Sequence, residues 1–502
     1  MRVGTASLAA LLALVAGCSG PRRAPGTLVV AVSGSLNLGN NNPVMIQRNA
    51  NVWEALTELD DTLTPRPQLA ESWSVSADGT EWVFHLRKGV RFHDGALLTA
   101  GLVAANIGRL KAHPELDYYS TFTHLRFVAA RDEATIELHF ARPLVDLPNK
   151  VGHYFAGVFS PAAFGPDGRL RAPAGSGPYV FEESRIGQYD RVRAFDGFHG
   201  GPPFFREVEF RIIPDPAVRV MSLLRGDVDL IAHHGGVPVS YVDMLKGRPE
   251  IVVASQDVAI THYLLFNCAR RPFSARHCRD TFERMLDRSG LASLILRGTG
   301  SPARDFLIAS AKRWDRGRFT LAPEAGVQGC AAEGPLVLLL SQSDMSSWGY
   351  RYVADYLADY YKHLGVAVRI ESLEAGAWQK AVQSGRYDIT LYPLSVPTGT
   401  PELLIRRLAF STGMRVRGIG NSTGYASKEV DVWFEQAVGA PDIRTQEARF
   451  NALLDLLARE KPFVPLYHER YHYAYRRGLA GVRVDPFLKL DLSRLRWEGA
   501  GR

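Results

Sequence analysis

The sequence predicts an α/β protein divided into two or three domains. Three observations carry this. The chain has 502 residues, more than one hydrophobic core usually serves. Its C-terminal half holds an apolar run from Leu336 to Leu340, then a segment from Tyr352 to His363 with Val353, Tyr356, Leu357, Tyr360 and Leu364 at helical spacing, then Val366 to Ile370. A strand, a helix and a strand in that order imply parallel pairing. Nearer the N-terminus, Leu69 to Leu86 alternates in the period of two that marks half-buried strands.

That N-terminal stretch opens on Trp73 and Val75 alternating with Ser72, Ser74 and Ser76. Ala77-Asp78-Gly79-Thr80 supplies a turn, because Gly tolerates the positive φ of a tight hairpin. Trp82, Phe84 and Leu86 then alternate with Val83, His85 and Arg87 in a second strand. His93-Asp94-Gly95 turns again, and Thr99 can cap a helix that Ala104 to Lys111 completes. Leu28 to Val32 is the expected first strand, and Asn37 to Asn42 a polar loop. Val52, Ala55, Leu56 and Leu59 have helical spacing, so Asn51 to Leu59 is expected as a helix. Ala134 to Phe140 reads as a strand with Ile136, Leu138 and Phe140 on one face.

At 46% hydrophobic and 22% charged residues the composition is that of ordinary globular protein. The formal charge of +7 is spread along the chain without a long Lys/Arg block, so no nucleic-acid partner is expected. Residues 1–17 read as an export signal: Arg2, then the apolar run Leu8 to Ala16, too short for a permanent membrane helix. Leu14-Val15-Ala16-Gly17-Cys18 resembles the lipobox of bacterial lipoproteins, which makes Cys18 the expected lipidation site. A plain secretory signal with an incidental cysteine is the alternative. Residues 18–27 then form a tether.

Four cysteines are present. With Cys18 lipidated, Cys268, Cys278 and Cys330 remain, so at most one disulfide can form among them. A Cys268–Cys278 bond is sterically conceivable, and the pairing stays open. His277 beside Cys278 lacks a second ligand cluster, and no metal site is expected.

The sharpest enzyme signal is His468-Glu469-Arg470-Tyr471-His472. On a helix, the two histidines would share a face and bind zinc, with Glu469 as base. Tyr467, Glu469, Tyr471, Tyr473 and Tyr475 instead alternate with His468, Arg470, His472, Ala474 and Arg476, a strand pattern rich in β-favouring tyrosine. A structural strand is therefore expected, no catalytic residue is assigned, and a zinc peptidase is the alternative. Gly175-Ser176-Gly177 lacks the spacing of a nucleophile elbow. The extended Tyr179-Val180-Phe181 after it also argues against a phosphate cradle, which needs a helix N-terminus. His233-His234-Gly235-Gly236 reads as a polar loop.

Pro67, Leu69, Ala70, Ser72, Trp73, Asp78, Gly79, Trp82, Phe84, Leu86, Arg87, Val90, Phe92, His93, Asp94, Gly95, Thr99 and Ala100 together resemble the signature of the family 5 extracellular solute-binding proteins, the receptors of bacterial peptide and nickel ABC importers. Gly175-Ser176-Gly177-Pro178-Tyr179, Gly226-Asp227-Val228-Asp229, Tyr387-Asp388-Ile389 and Pro465-Leu466-Tyr467-His468 extend the likeness over nearly the whole mature chain. Residues 183–190 and 213–216 most resemble the nickel-binding branch.

The resemblance implies a fold like the type II periplasmic-binding proteins: two lobes joined by a hinge, with an extra small α/β domain inserted near the N-terminus. Domain I is then 28–50, 172–258 and 465–502; domain II is 51–171; domain III is 259–464. It implies a substrate-binding lipoprotein in the cell envelope or periplasm, monomeric, without cofactor. Such a protein would capture a short peptide or metal chelate and hand it to ABC permease subunits in the membrane. Candidate ligand-binding residues are Tyr118, Tyr119, His153, Tyr154, Ser395 and Thr398. The carboxylate that peptide-binding relatives carry in a loop of the last domain is missing from 394–401, with Asp388 and Glu402 only flanking it. Glu115, Tyr118, Gly157 and Ser395 stand where the nickel branch has arginines and tryptophans, and no histidine lies near Gly413.

Overall fold

The computed structural model describes residues 26–36, 50–114, 116–117, 119–153, 156–232, 236–308, 311–314, 319–323, 330, 334–411 and 421–499. In chain order, β1 (Thr27–Val32) is followed by the hairpin β2 (Ala70–Val75) and β3 (Glu81–Leu86). Helix α1 (Ala100–Ala112) and strands β4 (Leu125–Ala130) and β5 (Thr135–Phe140) come next. A second group holds β6 (Tyr179–Arg185), β7 (Tyr189–Ala194), β8 (Glu207–Ile212), α2 (Pro216–Arg225), β9 (Leu230–Ile231) and α3 (Val239–Lys246). The long strand β10 (Ile251–Phe266) leads to β11 (Leu336–Ser341), α4 (Tyr350–His363), β12 (Val368–Leu373), β13 (Ile389–Ser395) and α5 (Glu402–Leu408). Helices α6 (Lys428–Val438) and α7 (Ile443–Glu460) precede β14 (Phe463–Arg476).

Strands β2 to β5 form their own antiparallel sheet, in the order β2-β3-β5-β4. Trp82, Phe84 and Leu86 alternate inward with Ile136, Leu138 and Phe140 opposite, all buried, as a period of two requires. The Leu102 amide donates to Thr99 Oγ1 at 3.2 Å, so the capping threonine is in place. Together with α1 these strands enclose a separate core drawn from residues 56–158.

Residues 51–59 are not a helix. Glu54–Ala55 pairs with Gly157–Val158, and Thr57–Leu59 with Pro65–Pro67. The reason is tertiary: the Val52 carbonyl accepts from the Gly177 amide and the Asn51 carbonyl from the Tyr179 amide. Gly175 and Gly177 admit this approach, since a Cβ at Gly177 would lie 2.2 Å from the Asn51 oxygen. Apolar spacing yields to backbone pairing with a loop more than a hundred residues away in the chain.

The other strands form one eleven-stranded sheet, β6-β7-β8-β1-β9-β14-β10-β13-β11-β12, with Gly300–Pro302 pairing β14 from the side. The βαβ reading holds: β11 pairs in parallel with β12 across α4. At the sheet's centre β10 and β14 run antiparallel. Tyr263 to Phe266 and Phe463 to Tyr467 pack into the core formed with α4 to α7. Val258, Ile260, Tyr471 and Tyr473 pack into the core around β1 and β8. The same two strands thus serve two lobes, and where they pass from one to the other the register slips. Asp257 faces Arg470 and Thr261 faces His468, so Val258, Ala259 and Ile260 oppose Glu469 alone. Such a bulge bends and twists its strand locally.

Candidate ligand-binding cleft

The seam between the small domain and the C-terminal lobe is built from three short segments. After β13, residues 396–401 turn tightly. The Val396 amide reaches the Ala259 carbonyl beside the bulge, and the Gly399 amide closes back on the Val396 carbonyl at 2.8 Å. Gly399 has φ +65°, and a Cβ there would meet Leu63 at 2.7 Å. Opposite lies the helical turn Leu147–Lys150, where Asn149 Nδ2 donates to the carbonyls of Thr398 (3.0 Å) and Leu63 (3.2 Å). Trp314 Nε1 donates to the Gly399 carbonyl at 2.8 Å. These bonds satisfy backbone groups that the turn would otherwise bury unpaired.

Within this frame sits a buried charge cluster. Lys150 Nζ donates to Glu402 Oε2, Arg406 Nη2 to Glu402 Oε1 at 2.8 Å, and Asp146 Oδ2 lies 3.9 Å from the lysine. Burial opposes ionisation of Glu402, but Lys150 and then Arg406 outweigh it and hold the carboxyl down to about 2. Burial raises Asp146 to about 6 despite Lys150. Asp146 is 1% exposed, and neither carboxylate oxygen has a hydrogen-bond partner among the described residues. Lys150 stays protonated because Asp146 and Glu402 together overcome its burial. Lys150 and Arg406 are thus balanced by Glu402 and Asp146, and this paired cluster borders a small cavity lined by Tyr119, Lys150, Thr398, Glu402, Leu403 and Arg406.

Of the residues picked from sequence, Tyr119 and Thr398 meet at this cavity. His153 lies against Tyr119, edge to face at 4.6 Å between centroids. Burial first and Lys150 second push His153 down to about 3, so it is neutral. Thr398 Oγ1 is 3.1 Å from Thr400 Oγ1. Ser395 stands apart from this cavity, paired with Ile260 at the bulge. Tyr118, Tyr154 and Cys18, with Glu115, Gly413 and the His233-His234-Gly235 loop, lie outside the described residues. Sequence reasoning overlooked Lys150, Asp146 and Arg406 and set Glu402 at the margin. The available signal was two acid–base pairs at helical i,i+4 spacing, Asp146/Lys150 and Glu402/Arg406. Asp388, the other flanking acid, accepts from the Val337 amide and pairs with Arg270.

The zinc-peptidase constellation is not assembled. His468, Glu469 and His472 sit on β14, where four residues span about 13 Å. His468 Nδ1 is bonded to Thr261 Oγ1 at 2.9 Å, His472 to Ser255 Oγ and the Gly298 carbonyl, and Glu469 to His262 Nε2 at 2.9 Å. His262 also reaches the Tyr350 hydroxyl at 2.7 Å and stacks on Tyr467. The disulfide joins Cys278 to Cys330 rather than to Cys268, which is free. Cys268 lies beside the Phe266 and Pro462 carbonyls at the end of β10, and burial raises its thiol to about 12. His277 Nε2 is 3.4 Å from Cys278 Sγ, whose sulfur is committed to the disulfide.

Residues 64–415 match the family model described as bacterial extracellular solute-binding proteins, family 5 Middle. The chain belongs to that family. This family 5 binding protein is 24% identical over 507 residues to the glutathione-binding protein GsiB of Shigella dysenteriae serotype 1, covering 97% of this chain and 96% of that one. The GsiB of Escherichia coli K12 matches with the same identity and coverage. Among solved structures it resembles NikA from Brucella suis in complex with Fe(III)-EDTA, with TM-score 0.81, 19% identity, and coverage of 94% and 100%. It also resembles DppA from Helicobacter pylori in complex with the peptide STSA, with TM-score 0.74, 18% identity, and coverage of 93% and 98%. The fold is the two-lobed α/β architecture of type II periplasmic-binding proteins. The protein is a solute-binding component of the ABC-importer class, and not an enzyme. Among the described residues, no helix is long and apolar enough to cross a membrane.

Proposed function

We propose that this chain captures a small carboxylate-bearing solute, a short peptide or a metal chelate, between its lobes and delivers it to an ABC permease. What supports the reading is the family 5 match together with the seam between the small domain and the C-terminal lobe, where Tyr119 and Thr398 meet the paired cluster of Lys150, Glu402 and Arg406. Peptides, glutathione and aminocarboxylate chelates share carboxylates that can compete with Glu402 for Arg406 as the lobes move, and Tyr119 supplies a flat apolar wall. The β10–β14 ribbon with its bulge is the hinge, so that closure buries the solute and creates the surface that the permease reads. Domain I comprises 28–50, 172–258 and 465–502, domain II 51–171 and domain III 259–464, with the boundaries crossing β10 and β14 near the bulge. Tyr118, Tyr154, His153 and Ser395 stay candidate ligand contacts on the resemblance alone, and Cys18 carries the lipid that holds a monomer at the membrane.

The test is calorimetric titration of the mature chain with glutathione, di- to tetrapeptides and a nickel–histidine chelate. One of them should bind and raise the melting temperature, with Arg406→Gln weakening it. Absence of binding by every member of the panel overturns the reading. Growth with labelled palmitate should mark the full-length protein and leave Cys18→Ser unlabelled.

A further inference from the structure

The last turns of α1 face residues 161–168 across a cavity of about 420 Å³, lined by Gly108, Arg109, His113, Pro161, Phe164 and Pro166 among others. Arg109 is the cation in it. Its Nη1 donates to the Gly168 carbonyl at 2.9 Å, and its guanidinium carbon lies 4.1 Å from the centre of the Phe164 ring. These two contacts fix the guanidinium plane, while its Nε is buried without an acceptor among the described residues. No described carboxylate pairs with it, and burial alone pulls its pKa down to about 10. Three other half-buried arginines do have acids: Arg191 meets Glu183 and Glu209, Arg313 meets Glu447, and Arg406 meets Glu402.

A desolvated cation without a counter-ion is costly unless an anion completes it. Here the walls are apolar, two prolines and a phenylalanine, and the one strong donor group is held rigidly. We propose that this pocket is a second ligand site, for a small carboxylate with a flat apolar body, its charge received by Arg109 and its body lying between Pro161 and Phe164. A guanidinium fork matches a carboxylate bidentately, and the apolar body explains why the walls carry no further polar side chain except His113 and Asn106. Asn106 is already bonded to the Phe159 backbone. The site shares no lining residue with the cavity at Lys150 and Glu402.

The probe is benzoate, titrated against the mature full-length chain and followed by calorimetry and by saturation-transfer NMR, with benzamide as the uncharged match. Benzoate should bind, and benzamide and the Arg109→Gln variant should each lose roughly tenfold or more in affinity, the scale of a charge-assisted hydrogen bond. Gly108→Leu gives an independent check, because a Cβ at Gly108 meets no atom within 4 Å, so the fold tolerates it while the leucine fills the mouth of the pocket. It should also abolish benzoate binding and leave the cleft's ligand affinity unchanged. Absence of benzoate binding to the wild type, equal binding of benzamide, or full benzoate affinity in either variant overturns the proposal.

Discussion

Lys150 and Glu402 are ion-paired although 252 residues separate them in the chain, and both side chains are almost wholly buried. Removing the lysine leaves Glu402 with Arg406 alone and Asp146 with no ion-pair partner among the described residues. Lys150→Met should therefore cost about 3–5 kcal/mol, read as a drop in the urea midpoint. Lys150→Met combined with Asp146→Asn should recover part of that loss, because the carboxylate left without a cation is gone.

Acid should weaken the fold below neutral pH. His153 is held near 3 and His468 near 4, both chiefly by burial, whereas an unfolded histidine titrates at about 6.5. Between those values the unfolded chain binds more protons than the folded one, so stability falls as pH drops through about 6.5. Asp146, raised to about 6, runs the other way over its own window and offsets part of one histidine. His153→Phe should flatten the dependence by about 1.4 kcal/mol per pH unit at most between pH 6 and 5, measured as urea midpoints at each pH.

Reduction should loosen the C-terminal lobe. The Cys278–Cys330 bond closes a loop of 52 residues in sequence separation, and chain-entropy arguments give such a link about 4 kcal/mol. Thermal melts with and without a dithiol reductant should differ, and a Cys278→Ser, Cys330→Ser variant should match the reduced wild type. Cys268→Ser should leave the difference intact.

Zinc should be irrelevant to His468, Glu469 and His472. Protein purified without chelator should carry far less than one equivalent of zinc by elemental analysis. His468→Ala should cost roughly 1 kcal/mol from loss of its hydrogen bond to Thr261, with no change in metal content.

Local patterns in the sequence were legible wherever one face of an element is buried. Trp82, Phe84 and Leu86 alternate because a single sheet face meets the core, whereas the tyrosines of β14 alternate with residues that are mostly buried too, and there only the period of two was legible. Thr99 was readable because a cap acts within one helical turn. Asn51 to Leu59 misled because its backbone is claimed by Gly177 and Tyr179, a contact that leaves no trace in apolar spacing. The partner of Cys278 and the meeting of Lys150 with Glu402 are likewise set by topology. Of the residues gathered at the seam, sequence reasoning named Tyr119, His153 and Thr398. The charges beside them needed the fold, since each looked like an ordinary helical ion pair.

The position of β14 has a consequence for how the chain is made. It is nearly the last strand to emerge, yet it lies between β9 and β10, bonded to both. A nascent chain that stops before Phe463 therefore has a gap in the middle of its main sheet, and neither lobe can finish its core. Only the small domain, whose four strands end at Phe140, is complete early. Most of the polypeptide ahead of β14 thus cannot close its two larger cores until β14 has been made.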